Sequence, residues 1–257
     1  MPGLAQLPMY DWPEIRAETD ALWAAIAERL EAAGIAAPEC LDRMTPADEA
    51  WESPDLLVGQ TCGRPYATGL AERVRLLGRP TYAVAGAAPG RYCSQLVGRR
   101  SDSRGGIEGF RGAVAACTST ASQSGWAALI DLLPGDESLE SFFGAVRMTG
   151  GHRDSIRAIA TGDADIATID CVSWALAERH EPAARELRVI GRSPTYPSLP
   201  FIASNRLNTD EAGRIGTALR QAVAGLPDPV RSALRLTGIE DARPADYAGL
   251  GRRRPAA

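Results

Sequence analysis

The chain has no lysine: all 28 of its basic residues are arginine. Without lysine there is no Schiff-base chemistry of the pyridoxal-phosphate kind, and no phosphate loop whose lysine reaches a nucleotide. Histidine is scarce, at two residues, His152 and His180, which speaks against a histidine-rich metal site. The five cysteines, Cys40, Cys62, Cys93, Cys117 and Cys171, are odd in number and widely spaced. They match neither a zinc pattern nor a disulfide framework, and small buried hydrophobes is the default reading for most of them. No apolar run is long enough to span a membrane. The stretch Met1 to Met9 has neither a basic start nor an extended apolar region, so it does not read as an export signal. A net charge of -4 argues against non-specific nucleic-acid binding, though a local site can still attract a small anion. These absences leave a chain with no expected metal, cofactor, nucleic-acid partner or membrane span.

What is present suits a globular protein. At 257 residues the chain can bury a full core, as one large domain or two small ones. Leu4 to Tyr10 reads as a strand, and Asp11-Trp12-Pro13-Glu14 as a capped helix start with proline in its first turn. Ile15, Leu22, Ile26 and Leu30 recur at helical spacing, and Gly34 stops the run. Further strands are expected at Asp55 to Gln60, Tyr92 to Val97, Ala113 to Ala116 and Asp165 to Ile169. Helices are expected near Thr68 to Val74, around Ser155 to Ala160 up to Gly162, and at Val172 to Glu178. The glycine-rich run Arg104 to Gly112 lacks the dinucleotide-binding fingerprint and reads as loop, short helix and turn. Arg252-Arg253-Arg254 reads as a solvated, frayed end.

Alternation of strand and helix argues an α/β protein with mainly parallel sheets. Two stretches that mix Gly or Pro with extended apolar residues, 78–91 and 188–204, read as crossovers between lobes. They divide the chain into a first lobe of residues 1–85 plus 198–257 and a second of residues 86–197.

In such sheets ligands bind beyond the carboxyl ends of strands. Tyr10, then Gln60, Thr61, Cys62 and Gly63, then Asp170 fall at expected strand ends. The hydroxyl-rich run Thr118 to Ser124 opens a helix, with Ser122 or Ser124 as its N-cap. His152, after Gly150-Gly151, opens another. A helix start carries N–H groups without intrahelical partners and a partial positive charge, so a serine-rich start suits an oxyanion. Each residue also has a plain structural reading: Tyr10 in the core, Ser122 and Asp170 as caps, His152 as a hydrogen bonder at a helix start.

The ordered set Gln60-Thr61-Cys62-Gly63-Arg64-Pro65-Tyr66, Ser122-Gln123-Ser124-Gly125-Trp126, Thr149 to Ile156 and Gly162 to Asp170 resembles the phosphate/phosphonate-type solute-binding proteins of ABC transporters. The resemblance implies two α/β lobes of the type II periplasmic-binding-protein kind with a ligand cleft between them. It implies that Ser122, Gln123 and Ser124 hold phosphoryl oxygens, that His152 joins them, and that Tyr10, Tyr66 and Tyr92, with Thr61, Cys62 and Gly63, belong to the ligand-binding set. Gln123 stands where the family often has Thr, and Asp170 is the nearest candidate for a carboxylate that meets an amino group.

The implied function is non-catalytic capture of phosphate, phosphite or a phosphonate for delivery to an ABC permease, in the periplasm. Two other classes stay open. One is an enzyme on the same fold that uses Ser124 or Cys62 with His152; Ser124, His152 and Asp170 follow the order of a hydrolytic triad, but no Gly-x-Ser-x-Gly elbow is present. The other is a ligand-sensing module in the cytoplasm, which the lack of an export signal would suit.

Overall fold

A computed structural model describes residues 3–250. The Arg252-Arg253-Arg254 tail lies outside the described residues, as do Met1 and Pro2. The described chain forms two units: residues 3–83, Ala88–Gly90 and Pro197–Leu250 in the first, Val84–Ala87 and Arg91–Tyr196 in the second.

In chain order the strands are Leu4–Gln6 (β1), Leu56–Gln60 (β2), Val74–Tyr82 (β3), Arg91–Tyr92 (β4), Ser94–Arg99 (β5) and Val114–Cys117 (β6). They continue with Ala145–Met148 (β7), Ile166–Asp170 (β8), Leu187–Arg192 (β9), Tyr196–Pro197 (β10), Phe201–Ser204 (β11) and Leu236–Glu240 (β12). The first unit holds a sheet of order β1-β2-β11-β3-β12, the second a sheet of order β7-β6-β8-β5-β9.

The two α/β units stand as expected, but the sheets are mixed where mainly parallel ones were expected. β1–β2, β6–β7 and β6–β8 are parallel. β11 runs antiparallel to β2 and β3, β12 antiparallel to β3, and β5 antiparallel to β8 and β9. The cause is topological. β5 and β11 follow the passages of the chain from one unit to the other, and each enters its sheet between two strands of opposite direction. Strand direction at re-entry is set by where the chain comes from, which alternation of helix and strand along the sequence does not encode.

Several local expectations shift. The first strand ends at Gln6, because Pro8 has no N–H to extend the ladder. Asp11 does not cap the next helix: Trp12 is the N-cap and has no side-chain cap bond, while Asp11 ion-pairs with Arg43. Pro13 opens a 3-10 turn and the helix Arg16–Ala32 follows, with Gly34 in the left-handed conformation just past it. Ile15, Leu22, Ile26 and Leu30 are all buried. The helix expected at 68–74 comes earlier, over Gly63–Pro65 and Tyr66–Leu70, since Pro65 suits a first helical turn and β-branched Val74 already begins β3. Much of the two stretches read as crossovers is strand: Gly78 to Tyr82 belongs to β3, Arg188 to Arg192 to β9, and Phe201 to Ser204 to β11. Their extended apolar residues are ladder residues.

The first unit buries Trp23, Ile26 and Leu30 of one helix and Ile215 and Leu219 of the helix Thr209–Gly225. Gly216 allows the latter to approach the sheet: a Cβ there would lie 2.8 Å from the Leu77 carbonyl oxygen of β3. The second unit packs Leu96, Phe110, Leu129, Phe142 and Ile166 into one cluster. In the glycine-rich run only Glu108–Phe110 is helical, as a single 3-10 turn.

Candidate functional site

β7, β6 and β8 are parallel neighbours, so their carboxyl ends share one edge of the second unit's sheet. Each end feeds a helix start. β6 leads through Thr118–Ser122 to the helical turns Gln123–Ala127 and Ala128–Ile130. β7 leads to the helix His152–Thr161, and β8 directly to the helix Cys171–His180. The connections after β6 and β7 are tied together: Thr149 N–H donates to Cys117 O at 2.8 Å and Gly150 N–H to Thr118 O at 3.0 Å. Three helix starts thus open on one edge, and those at Gln123 and His152, which no carboxylate caps, suit an anion.

The serine-rich start is a wide turn closed by Ala127 N–H donating to Ser122 O at 3.1 Å. Ser122 is its N-cap, with Oγ accepting from Gly125 N–H at 2.9 Å. Ser124 turns elsewhere: its Oγ lies 2.8 Å from His152 Nε2. Gly125 has no room for a side chain, since a Cβ there would overlap the Thr118 hydroxyl and lie 2.7 Å from Thr118 Cγ2. The Ser-x-Ser-Gly order therefore reflects a cap, a histidine partner and a tight backbone contact in succession.

His152 is the first residue of its helix, behind Gly150 at φ 86 and the N-cap Gly151. Thr149 Oγ1 and Ser155 Oγ meet at 2.6 Å, and both lie within hydrogen-bond distance of Gly151 O, which fixes the turn before the histidine. The residue keeps some exposed surface, but Nδ1 is sealed from solvent and has no hydrogen-bond partner. That loss of hydration disfavours the imidazolium and pulls the pKa down to about 4. His152 is a neutral imidazole at pH 7.

Gln123 is buried, and its Oε1 has no partner; the same is true of Thr118 Oγ1. The Tyr196 hydroxyl donates to Asp131 Oδ2 at 2.7 Å and is also within hydrogen-bonding reach of the Ser193 and Gln123 side chains. Burial first, then the Asp131 carboxylate, raise the Tyr196 pKa, so the phenol stays protonated. Asp170 Oδ1 accepts from Val172 and Ser173 N–H at 2.8 and 3.0 Å, the helix-capping role.

Of the candidate residues, Ser122, Gln123, Ser124, His152 and Asp170 gather at this edge. Tyr92, in the same unit, is buried with its ring 5.8 Å from that of Tyr196. Tyr10, Thr61, Cys62, Gly63 and Tyr66 lie in the first unit. There Tyr10 meets Tyr82 edge-on at 5.4 Å and, with Gln60 and Phe201, lines a cavity of about 30 Å³. Thr61 is fully buried, with its N–H on Pro200 O. Cys62 caps the Gly63–Pro65 turn without a side-chain cap bond. Gly63 and Tyr66 are drawn into packing: a Cβ at Gly63 would lie 2.7 Å from Leu250, and the Tyr66 ring stacks edge-on against Tyr247 at 5.0 Å. No local sequence signal singles out Tyr196 and Asp131. Their contact joins residues far apart in the chain, and neither stands in a recognisable motif.

The Ser124–His152 contact has the outline of a nucleophile and base, but its electrostatics do not suit catalysis. A general base works best with a pKa near the working pH, and a triad histidine has its second nitrogen held by a carboxylate. His152 has a pKa of about 4 and Nδ1 without a partner. Among the described residues no group of three or more His, Cys, Asp or Glu is placed to hold a metal ion, and no helix is long and apolar enough to cross a membrane.

Known proteins agree with this architecture. PhnD1 from Prochlorococcus marinus, solved in complex with methylphosphonate, is similar with a TM-score of 0.71 at 13% identity, over 96% of this chain and 95% of that one. A binding-protein component of an ABC phosphonate transporter from Pseudomonas aeruginosa is similar with a TM-score of 0.68 at 15% identity, over 94% and 82%. XAC2383 from Xanthomonas citri, solved bound to ATP, is similar with a TM-score of 0.66 at 16% identity, over 95% and 92%. At these identities the likeness establishes the two-lobed fold of periplasmic binding proteins. No curated protein matches the sequence. The family model that does match, over residues 5–247, is described as "ABC transporter, phosphonate, periplasmic substrate-binding protein". The chain belongs to this family of non-enzymatic, periplasmic binding proteins that serve ABC transporters.

Proposed function

We propose that the protein captures a small phosphorus oxyanion, namely phosphate, phosphite or a phosphonate, and delivers it unchanged to an ABC permease. The observation that carries this reading is the shared edge of β6, β7 and β8, where the Ser122–Ser124 helix start meets neutral His152. Ser124 Oγ, held by His152 Nε2, presents a hydroxyl there, and the helix starts at Gln123 and His152 add N–H groups and partial positive charge. The ligand's charge is met by dipoles, which suits a reversible carrier. Hydrogen bonds to a charged partner contribute roughly 1.5–3 kcal/mol each. Four or five, less the entropic cost of association, reach about -8 kcal/mol, near micromolar affinity.

Gln123 sets the detail of the ligand. With its side chain within reach of the Tyr196 hydroxyl and its Oε1 without a partner, it offers an acceptor that favours an oxyanion still carrying a proton. Turning the amide would present two donors instead. A thermal-shift panel of phosphate, phosphite, sulfate, methylphosphonate and aminoethylphosphonate tests the reading. A ligand at a hundred times its dissociation constant adds about 2.7 kcal/mol. A clear rise in Tm with at least one phosphorus compound is expected, and a flat response to all of them overturns the proposal.

A further inference from the structure

Cys93 and Cys171 are remote in sequence and adjacent in the fold. β5 and β8 run antiparallel with Ser94 opposite Asp170, so the next pair outward is Cys93 and Cys171. The ladder continues through them: Cys171 N–H donates to Cys93 O at 3.0 Å. Directly opposed residues of an antiparallel pair share a face, with Cα atoms about 5.5 Å apart at a hydrogen-bonded position. Disulfides need roughly 4.4–6.8 Å. Both cysteines are buried. A Cβ at Gly86 would lie 2.5 Å from Cys93 Sγ, so the segment before β4 closes over Cys93.

We infer that Cys93 and Cys171 form a cross-strand disulfide in the mature protein, a covalent staple between the start of β5 and the helix that Asp170 caps. The inference rests on strand register and on the family's periplasmic setting, an oxidising environment. It is independent of which ligand the protein takes.

The chemistry favours the same pair. In the folded protein the neighbouring Cys171 thiol, with Arg192 assisting, holds Cys93 below its ordinary pKa, while the Cys93 thiol and burial push Cys171 up. In the opened chain the Cys93 thiolate attacks one sulfur of a disulfide oxidant such as oxidised glutathione and expels one glutathione thiolate. Cys171 then gives up its proton, attacks the Cys93 sulfur of the mixed disulfide and expels the second. Two protein thiols are oxidised and one glutathione disulfide is reduced to two thiols. In the folded protein Cys117 is buried away from this pair, and burial pushes its thiol up to about 12.

The test is to refold the full chain in a glutathione redox buffer, then denature and alkylate it with and without reductant. The inference expects three of the five cysteines to alkylate without reductant and all five with it. Because the chain has arginine alone as basic residue, trypsin should release the peptides 92–99 and 158–179 as one linked species. Cys171→Ser should abolish that species, and reductant should lower the Tm of the wild type. Five alkylated cysteines without reductant, or a link that involves Cys117 instead, would overturn the inference. The peptide map of the wild type decides the matter even if Cys171→Ser folds poorly.

Discussion

Ser124 Oγ and His152 Nε2 lie 2.8 Å apart, at the starts of two different helices that follow two adjacent parallel strands. The contact fixes both side chains before any ligand arrives, so less ordering is left for binding to supply. Ser124→Ala should therefore remove a donor and release the imidazole it positions. A loss of about tenfold or more in affinity for the responding phosphorus oxyanion is expected by calorimetric titration. Unchanged affinity would place the ligand elsewhere.

His152 gives stability a pH dependence whose sign is set by its low pKa. In the folded protein that pKa is about 4, against 6.5 ordinarily. As pH falls below 6.5 the unfolded chain takes up the proton first, so stability present at neutral pH is lost on the way down to about 4. By pH 5 the loss from this group is about 2 kcal/mol. Denaturant unfolding at pH 7 and pH 5 should show it in the wild type and show much less in His152→Gln.

Gly125 is confined by Thr118. Gly125→Ala should destabilise the protein by about 1–3 kcal/mol through overpacking. Shortening the neighbour with Thr118→Ala in the same chain should restore part of the lost Tm. Equal destabilisation in the single and double variants would show that the glycine answers to something other than this contact.

Asp170 is a helix cap by geometry, and a second role toward an amino group is separable from it. Asp170→Asn keeps an oxygen that can cap, so its effect on stability should be small, while Asp170→Ala should cost about 1 kcal/mol. If the carboxylate also meets a ligand amine, Asp170→Asn should weaken aminoethylphosphonate and leave methylphosphonate unchanged. Parallel titrations with the two ligands read the difference directly.

Much of the second unit's edge was legible in the chain because the signals there are local. A hydroxyl run before an apolar helical face marks a helix start, Gly150-Gly151 before His152 marks another, and Asp170 after an apolar strand marks a third. Gly162 ends its helix in the left-handed conformation, φ 87, as a glycine at that place predicts. The residues of the first unit answer to more distant partners. Gly63 and Tyr66 stand in a motif, yet packing against Leu250 and Tyr247 accounts for them, and those partners lie far along the sequence.

The sequence by itself determined the class of the protein, the helix starts and caps at the second unit's edge and the order of the polar clusters, because each depends on residues within a turn or two of one another. Tertiary structure decided what meets across the fold. It set β5 and β11 antiparallel in their sheets, put Ser124 against His152 and Tyr196 against Asp131, and brought Cys93 beside Cys171 although their spacing matches no disulfide framework. The physical reason is the same in each case. Strand register and direction are fixed by burial of whole faces against partners remote in the chain, and spacing along a sequence carries no record of that pairing.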